Sequence, residues 1–153
     1  MTQNNFPFPS DGKRYYTWNR YLRNEFGKKV YKVALDAGFD CPNRDGTVAF
    51  GGCTFCSAAG SGDFAGNKVD PIPVQFEKIK AKMENKWKDG LTMAYFQAYT
   101  NTHAPLEVLK EKFEAALACE GVMGLSIATR PDCLPDDVDE YLAELNERTY
   151  LWV

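Results

Sequence analysis

From residue 30 onward the chain alternates short apolar, β-prone runs with stretches whose apolar residues recur every three or four positions. Strands and helices that follow one another repeatedly are laid down as a parallel sheet with helices packed on it, because parallel neighbours need a long crossover. Residues 30–35 (VYKVAL) read as the first strand, and residues 57–73, rich in Gly, Ser, Ala and Pro, as loop. Phe76, Ile79, Met83 and Trp87 then form one apolar stripe, with Gly90 where a helix stop belongs. Residues 91–99 read as a buried strand, and Pro105 suits the first turn of a helix lined by Leu106, Leu109, Phe113 and Leu117. Gly121 breaks that helix before a strand at 122–128. Pro135 opens a third helix, with Asp136, Asp137 and Asp139 at the positive end of its dipole and Val138, Leu142 and Leu145 facing the core. Residues 150–153 begin a fourth strand. The expected class is α/β, parallel strands alternating with helices, as an open sheet or part of a barrel. Stopping on the first residues of a buried strand predicts a fragment of a longer protein.

At 153 residues the chain suffices for one domain with a real core. No run approaches the roughly 18 apolar residues of a membrane span, and residues 1–16 lack the basic-then-apolar layout of a secretory leader. The expected compartment is the cytoplasm, where thiols stay reduced.

Charge divides the chain into an arm, residues 1–29, and a domain, residues 30–153. Residues 1–32 carry seven Lys/Arg against two acids, and the remainder eleven against nineteen. Lys13, Arg14, Arg20, Arg23, Lys28 and Lys29 are interleaved with Tyr15, Tyr16, Trp18, Tyr21 and Phe26. Cations beside aromatics suit a nucleic-acid surface; the same pattern suits an amphipathic arm packing its rings onto the domain.

Three of the five cysteines lie in CPNRDGTVAFGGCTFC: Cys41, then Cys53 and Cys56 after eleven intervening residues. Gly46, Gly51 and Gly52 let the loop fold back, and Phe55 offers an apolar wall. Four arrangements accommodate these thiols: a structural zinc completed by Cys133, Cys119 or His103, a dithiol redox pair, unconnected buried cysteines, or a three-cysteine [4Fe–4S] cluster with one open iron. Cys119 falls on a helix as a small core residue, Cys133 follows the third strand, and His103 enters a helix.

A strand feeding a three-cysteine loop that ends in C-x-aromatic-C resembles the radical S-adenosylmethionine (SAM) superfamily. The superfamily spacing is C-x3-C-x2-C, from which the eleven-residue gap departs. With FQAYTNT and ATRPDCLPDD downstream, the loop resembles the YhcC/YtqA-like branch, akin to the Elongator catalytic subunit. The resemblance implies the N-terminal part of a partial (β/α)6 TIM-like barrel. It implies Cys41, Cys53 and Cys56 as cluster ligands, with SAM on the fourth iron and Phe55 on its adenine side. The family's glycine turn after the second strand is replaced here by Thr100 and Asn101 at the SAM amino group, and Arg130 is placed to meet the SAM carboxylate. The implied activity is reductive cleavage of SAM to a 5′-deoxyadenosyl radical, with no protein acid or base. The implied partners are a reductant such as flavodoxin or ferredoxin and tRNA, modified at a wobble uridine and held by the basic arm. The rival is a non-enzymatic iron–sulfur or zinc-binding module.

Overall fold

In the structure, a computed structural model, residues 13–153 are described. The first twelve residues of the arm, and most of the segment read for a leader, lie outside them.

Four parallel strands, β1 (Val30–Leu35), β2 (Leu91–Phe96), β3 (Val122–Ile127) and β4 (Tyr150–Trp152), form one sheet in the order β1-β2-β3-β4. The helix of the arm, α1 (Trp18–Phe26), precedes β1; α2 (Ile72–Glu84), α3 (Leu106–Leu117) and α4 (Asp136–Arg148) fill the three crossovers. Side chains alternate across each strand. Tyr31, Val33, Leu35, Ala94, Phe96, Leu125 and Ile127 point to one face, where they meet Phe76 of α2, Leu109 and Phe113 of α3, and Leu142 and Leu145 of α4. Phe96 and Phe113 are fully buried with ring centroids 4.9 Å apart. Truncating such a ring to alanine costs about 3–5 kcal/mol.

The opposite face carries α1. Thr17 caps this helix by accepting the Arg20 N–H, and Gly27 ends it at φ 69°. Leu22 is buried against Val30 and Met93, and Trp18, Tyr21 and Phe26 pack around them. Trp18 meets Trp152 at 4.1 Å between centroids, and Phe26 meets Tyr150 at 5.0 Å. The arm is therefore built into the domain from residue 17 on, with Trp18, Tyr21 and Phe26 spent on packing. Tyr15 and Tyr16 stay exposed. Among the described residues, no helix is long and apolar enough to cross a membrane.

Candidate functional site

The C-terminal ends of β1, β2 and β3 open on the same edge of the sheet, where α/β proteins bind ligands. The long β1–α2 connection fills that edge and carries all three cysteines. Its backbone doubles back at once: the Cys41 carbonyl accepts the Arg44 and Asp45 N–H groups at 2.7 and 3.1 Å, and the Asn43 carbonyl accepts the Gly52 N–H at 2.8 Å. Arg44 then crosses the loop, donating to the Ser57 carbonyl at 2.6 Å and lying over the Tyr99 ring. Gly52 is required there: it sits at φ +80°, and a Cβ on it would stand 2.8 Å from Arg44 Nε. The strand ends are tied to the loop by the Tyr99 N–H on the Gly60 carbonyl and the Thr100 N–H on the Asp40 carbonyl.

This folding brings Cys41, Cys53 and Cys56 to the wall of one cavity of about 490 Å³, shared with Phe55, Tyr95, Gln97, Thr100 and Arg130. Its size lies within the range of small-ligand sites. Each sulfur has its own side-chain donor. Asn43 Nδ2 donates to Cys53 Sγ at 3.1 Å, and Ser61 Oγ to Cys56 Sγ at 3.7 Å. Around Cys41 burial opposes the thiolate, but hydrogen bonds from Thr100, the Asn43 N–H and Arg130 outweigh it and hold the thiol below its ordinary range.

Among the described residues no three His, Cys, Asp or Glu side chains converge as ligands of a single ion. A zinc ion gathers its thiolates to about 2.3 Å from one point. A cluster distributes its thiolates over separate irons and needs a cavity between them. The three thiols line one cavity, each with a donor.

The other expected residues divide. Phe55 is among the residues lining the cavity but is 84% exposed, so most of its ring faces solvent. Thr100 is buried at the wall. Asn101 is 0% exposed and does not line the cavity; its Nδ2 donates to the Phe96 and Ala128 carbonyls at 3.1 and 2.9 Å, while its buried Oδ1 has no partner among the described residues. It straps the ends of β2 and β3 together. Arg130 lines the cavity, but its guanidinium is engaged by Asp132 through paired bonds of 2.8 and 2.6 Å.

A larger groove, about 800 Å³, flanks the loop beside His103 and Cys133 and holds none of the three loop cysteines. There His103 Nε2 pairs with Asp45 Oδ2 at 2.6 Å, fastening the cysteine loop to the turn after β2. Thr47 chiefly, with His103, lowers the Asp45 carboxyl to about 2. Cys133 is buried, and burial pushes its thiol up. Cys119 packs against the helix-side core and donates to the Ala115 carbonyl. Of the arm's cations, Lys13, Arg14, Arg23 and Lys28 are exposed, while Lys29 donates to Asn19 at 2.6 Å. Asn43, Arg44, Asp45 and Ser61 escaped the sequence reading; their polar types inside the cysteine-bearing loop were the available signal.

The chain is 71% identical to the uncharacterized protein YtqA of Bacillus subtilis over 154 residues, covering all of this chain and 48% of that protein. It is 42% identical to protein YhcC of Escherichia coli over 133 residues, covering 86% and 42%. It is 37% identical to an uncharacterized protein of Methanocaldococcus jannaschii over 147 residues, covering 94% and 44%. The chain thus spans about half the length of the curated relatives it matches. No family model and no solved structure matches it.

Proposed function

We propose that this chain carries the cluster-binding part of a radical SAM enzyme of the YhcC/YtqA-like branch. The observation that carries the reading is the triad Cys41, Cys53 and Cys56 around one cavity at the C-terminal edge of a parallel sheet. The strand order runs consecutively and α2, α3 and α4 share one face. A consecutive order with all three crossover helices on one face supports barrel winding, whereas doubly wound sheets reverse their order. We read the sheet as the first part of a partial (β/α)6 barrel.

In this reading Cys41, Cys53 and Cys56 would hold a [4Fe–4S] cluster with one iron left open for SAM. When bound, the pair supplies reductive cleavage of the C5′–S bond of SAM, with the electron delivered by a reductant such as flavodoxin or ferredoxin. The chain's own residues prepare the site. Asn43, Ser61 and Thr100 place donors on the sulfurs, which stabilises thiolate charge. Arg130, neutralised by Asp132, brings a dipolar pair to Cys41. Phe55 lines the cavity with its ring largely in solvent, free to pack on the adenine side of bound SAM, and Tyr95 and Gln97 line the cavity's strand side. All five cysteines are free thiols, as a reducing cytoplasm would keep them. The exposed Lys13, Arg14, Arg23 and Lys28 are the part of the arm that meets tRNA, by charge more than by stacking.

The test is anaerobic loading with iron and sulfide, addition of dithionite and SAM, and detection of 5′-deoxyadenosine. Production that disappears in C41A, C53A and C56A supports the proposal. A colourless protein that retains zinc, or a cluster that never cleaves SAM, replaces it with a non-enzymatic metal-binding module.

A further inference from the structure

β1 and β2 begin at the edge of the sheet opposite the cysteine cavity. There Val30 and Leu91 are register partners, and the Leu91 N–H donates to the Lys29 carbonyl at 2.8 Å. This contact sets the end of the arm, residues 23–29, against the α2–β2 connection, residues 85–90. The Lys29 ammonium lies 5.0 Å from the centroid of the Trp87 ring, and the Lys86 ammonium 5.4 Å from the same centroid. Two cations that share one ring stand at most about 10 Å apart, the two distances laid end to end. Arg23, Lys28, Lys86 and Lys88 are exposed.

The acids in these two segments are Glu25 and Asp89. Among the described residues, no ion pair includes either acid or any of Arg23, Lys28, Lys29, Lys86 and Lys88. Burial, and then repulsion from Arg23 and Lys86, lowers the Lys29 pKa. Like charges gathered in this way oppose one another until an anion offsets them. Each exposed cation contributes little alone, but a chain of phosphates meets several at once and releases its counterions. Trp87 packs on the core, so recognition here is by charge. A membrane surface fits less well, because binding in its plane needs apolar side chains to insert. The exposed large apolar side chains among the described residues lie elsewhere: at Tyr15 and Tyr16, on the cysteine loop, on α2 and α3, and at the end of β4. An acidic electron carrier also fits less well. Strands of six residues, at about 3.3 Å each, put this edge about 20 Å from the cysteine end.

We propose that this edge, through Arg23, Lys28, Lys29, Lys86 and Lys88, anchors a folded RNA by its phosphates. The arm supplies one side of the surface and the α2–β2 connection the other. Anchor and cavity lie at opposite ends of the strands, so a single nucleotide is too small to occupy both. A duplex of about six pairs, at about 3.4 Å each, spans that length. That the anchored RNA also enters the cavity rests on the radical SAM reading; that the edge binds RNA does not.

The experiment titrates unfractionated tRNA, as the folded-RNA probe, into the full chain free of cluster, and reads fluorescence anisotropy at several salt concentrations. K28E/K86E reverses two exposed lysines of the edge. K78E/K110E makes the same change of net charge on α2 and α3, away from it. K28Q/K86Q removes the two charges without adding acids, and circular dichroism checks that each variant is folded. The proposal expects K28E/K86E to bind tRNA at least about tenfold more weakly, with a salt slope lower by about one per lysine. K28Q/K86Q should weaken binding in the same direction, and K78E/K110E should stay within about twofold of the unaltered chain. Unchanged binding in the edge variants, or equal weakening in both lysine pairs, overturns it. Phosphatidylserine vesicles that bind through Lys28 and Lys86 while tRNA does not would make the edge a membrane surface and overturn it too. In the cluster-loaded protein, SAM cleavage without RNA should be equal in K28E/K86E and the unaltered chain; a loss there would tie the edge to the cavity and overturn a separate anchor. If the unaltered chain never cleaves SAM, the radical SAM reading fails, while the tRNA titration still decides whether the anchor exists.

Discussion

Replacing Gln75 by methionine should destabilise the fold by about 3–5 kcal/mol and loosen the base of the cysteine loop first. Gln75 is 1% exposed on α2, and its amide is fully used. Oε1 accepts the Asp36 N–H at 2.9 Å, and Nε2 donates to the Asp36 and Asp70 carbonyls at 2.8 and 2.9 Å. Asp36 is the residue immediately after β1, so one side chain ties the strand's exit to the entrance of α2. Three bonds at a net of about 1 kcal/mol each give about 3 kcal/mol, and stranding the Asp36 N–H and two carbonyls adds to that. Asp36 is only half-buried, which lets water recover part of the loss. Methionine keeps the volume, so little cavity cost enters. For a domain of this size the change lowers Tm by about 10 °C. Urea unfolding followed by tryptophan fluorescence measures it, with an unchanged slope expected. Native-state hydrogen exchange should show the Asp36 amide among the most accelerated. A cost below about 1 kcal/mol, or an Asp36 amide as protected as before, would refute the claim that Gln75 anchors this loop.

Two further outcomes follow from the site. Asn43→Leu removes the donor on Cys53; a neutral hydrogen bond of about 1 kcal/mol corresponds to about 40 mV in a one-electron couple. The loaded cluster should therefore have a lower reduction potential in N43L, and an unchanged potential in a redox titration would count against Asn43 as a thiolate donor. The Asp45 carboxyl, lowered to about 2 chiefly by Thr47 and then by His103, contributes stability that is present above its unfolded value and is lost as pH falls through about 2. Side-chain NMR should show it ionised at pH 3, where an ordinary aspartate is mostly protonated; a midpoint near the ordinary value would contradict the His103 latch.

Sequence reading and structure coincide wherever a local pattern decided the outcome. The first strand, 30–35, was legible because its apolar run and flanks are local. The Phe76 stripe was legible too, but it extended the helix too far. α2 stops at Glu84, since the Lys86 and Trp87 N–H groups both return to the Met83 carbonyl, and Trp87 still packs on the core from the turn. The second strand ends at Phe96 rather than 99, because Gln97, Tyr99 and Thr100 donate to Leu35, Gly60 and Asp40. Those partners lie far away in sequence, and no window contains them. The helix α1 itself went unread although Thr17 and Gly27 bracket it, while the reading of an amphipathic arm packing its rings onto the domain agrees with the packing of Trp18, Tyr21 and Phe26. Arg130 and Asn101 sat at the expected edge; the strand-end carbonyls that occupy Asn101 are set by tertiary geometry, while the partner of Arg130, Asp132, lies only two residues on and was available to a local reading.

The central claim is that Cys41, Cys53 and Cys56 hold a cluster with one iron open to SAM. The most direct measurement is the EPR spectrum of the anaerobically loaded, reduced chain before and after SAM is added, together with iron and sulfide analysis. The account predicts about four iron and four sulfide per chain, a reduced [4Fe–4S] signal that changes on SAM addition, and no such signal in C41A, C53A or C56A. A signal that SAM leaves unaltered, or a chain that retains no iron, would contradict it.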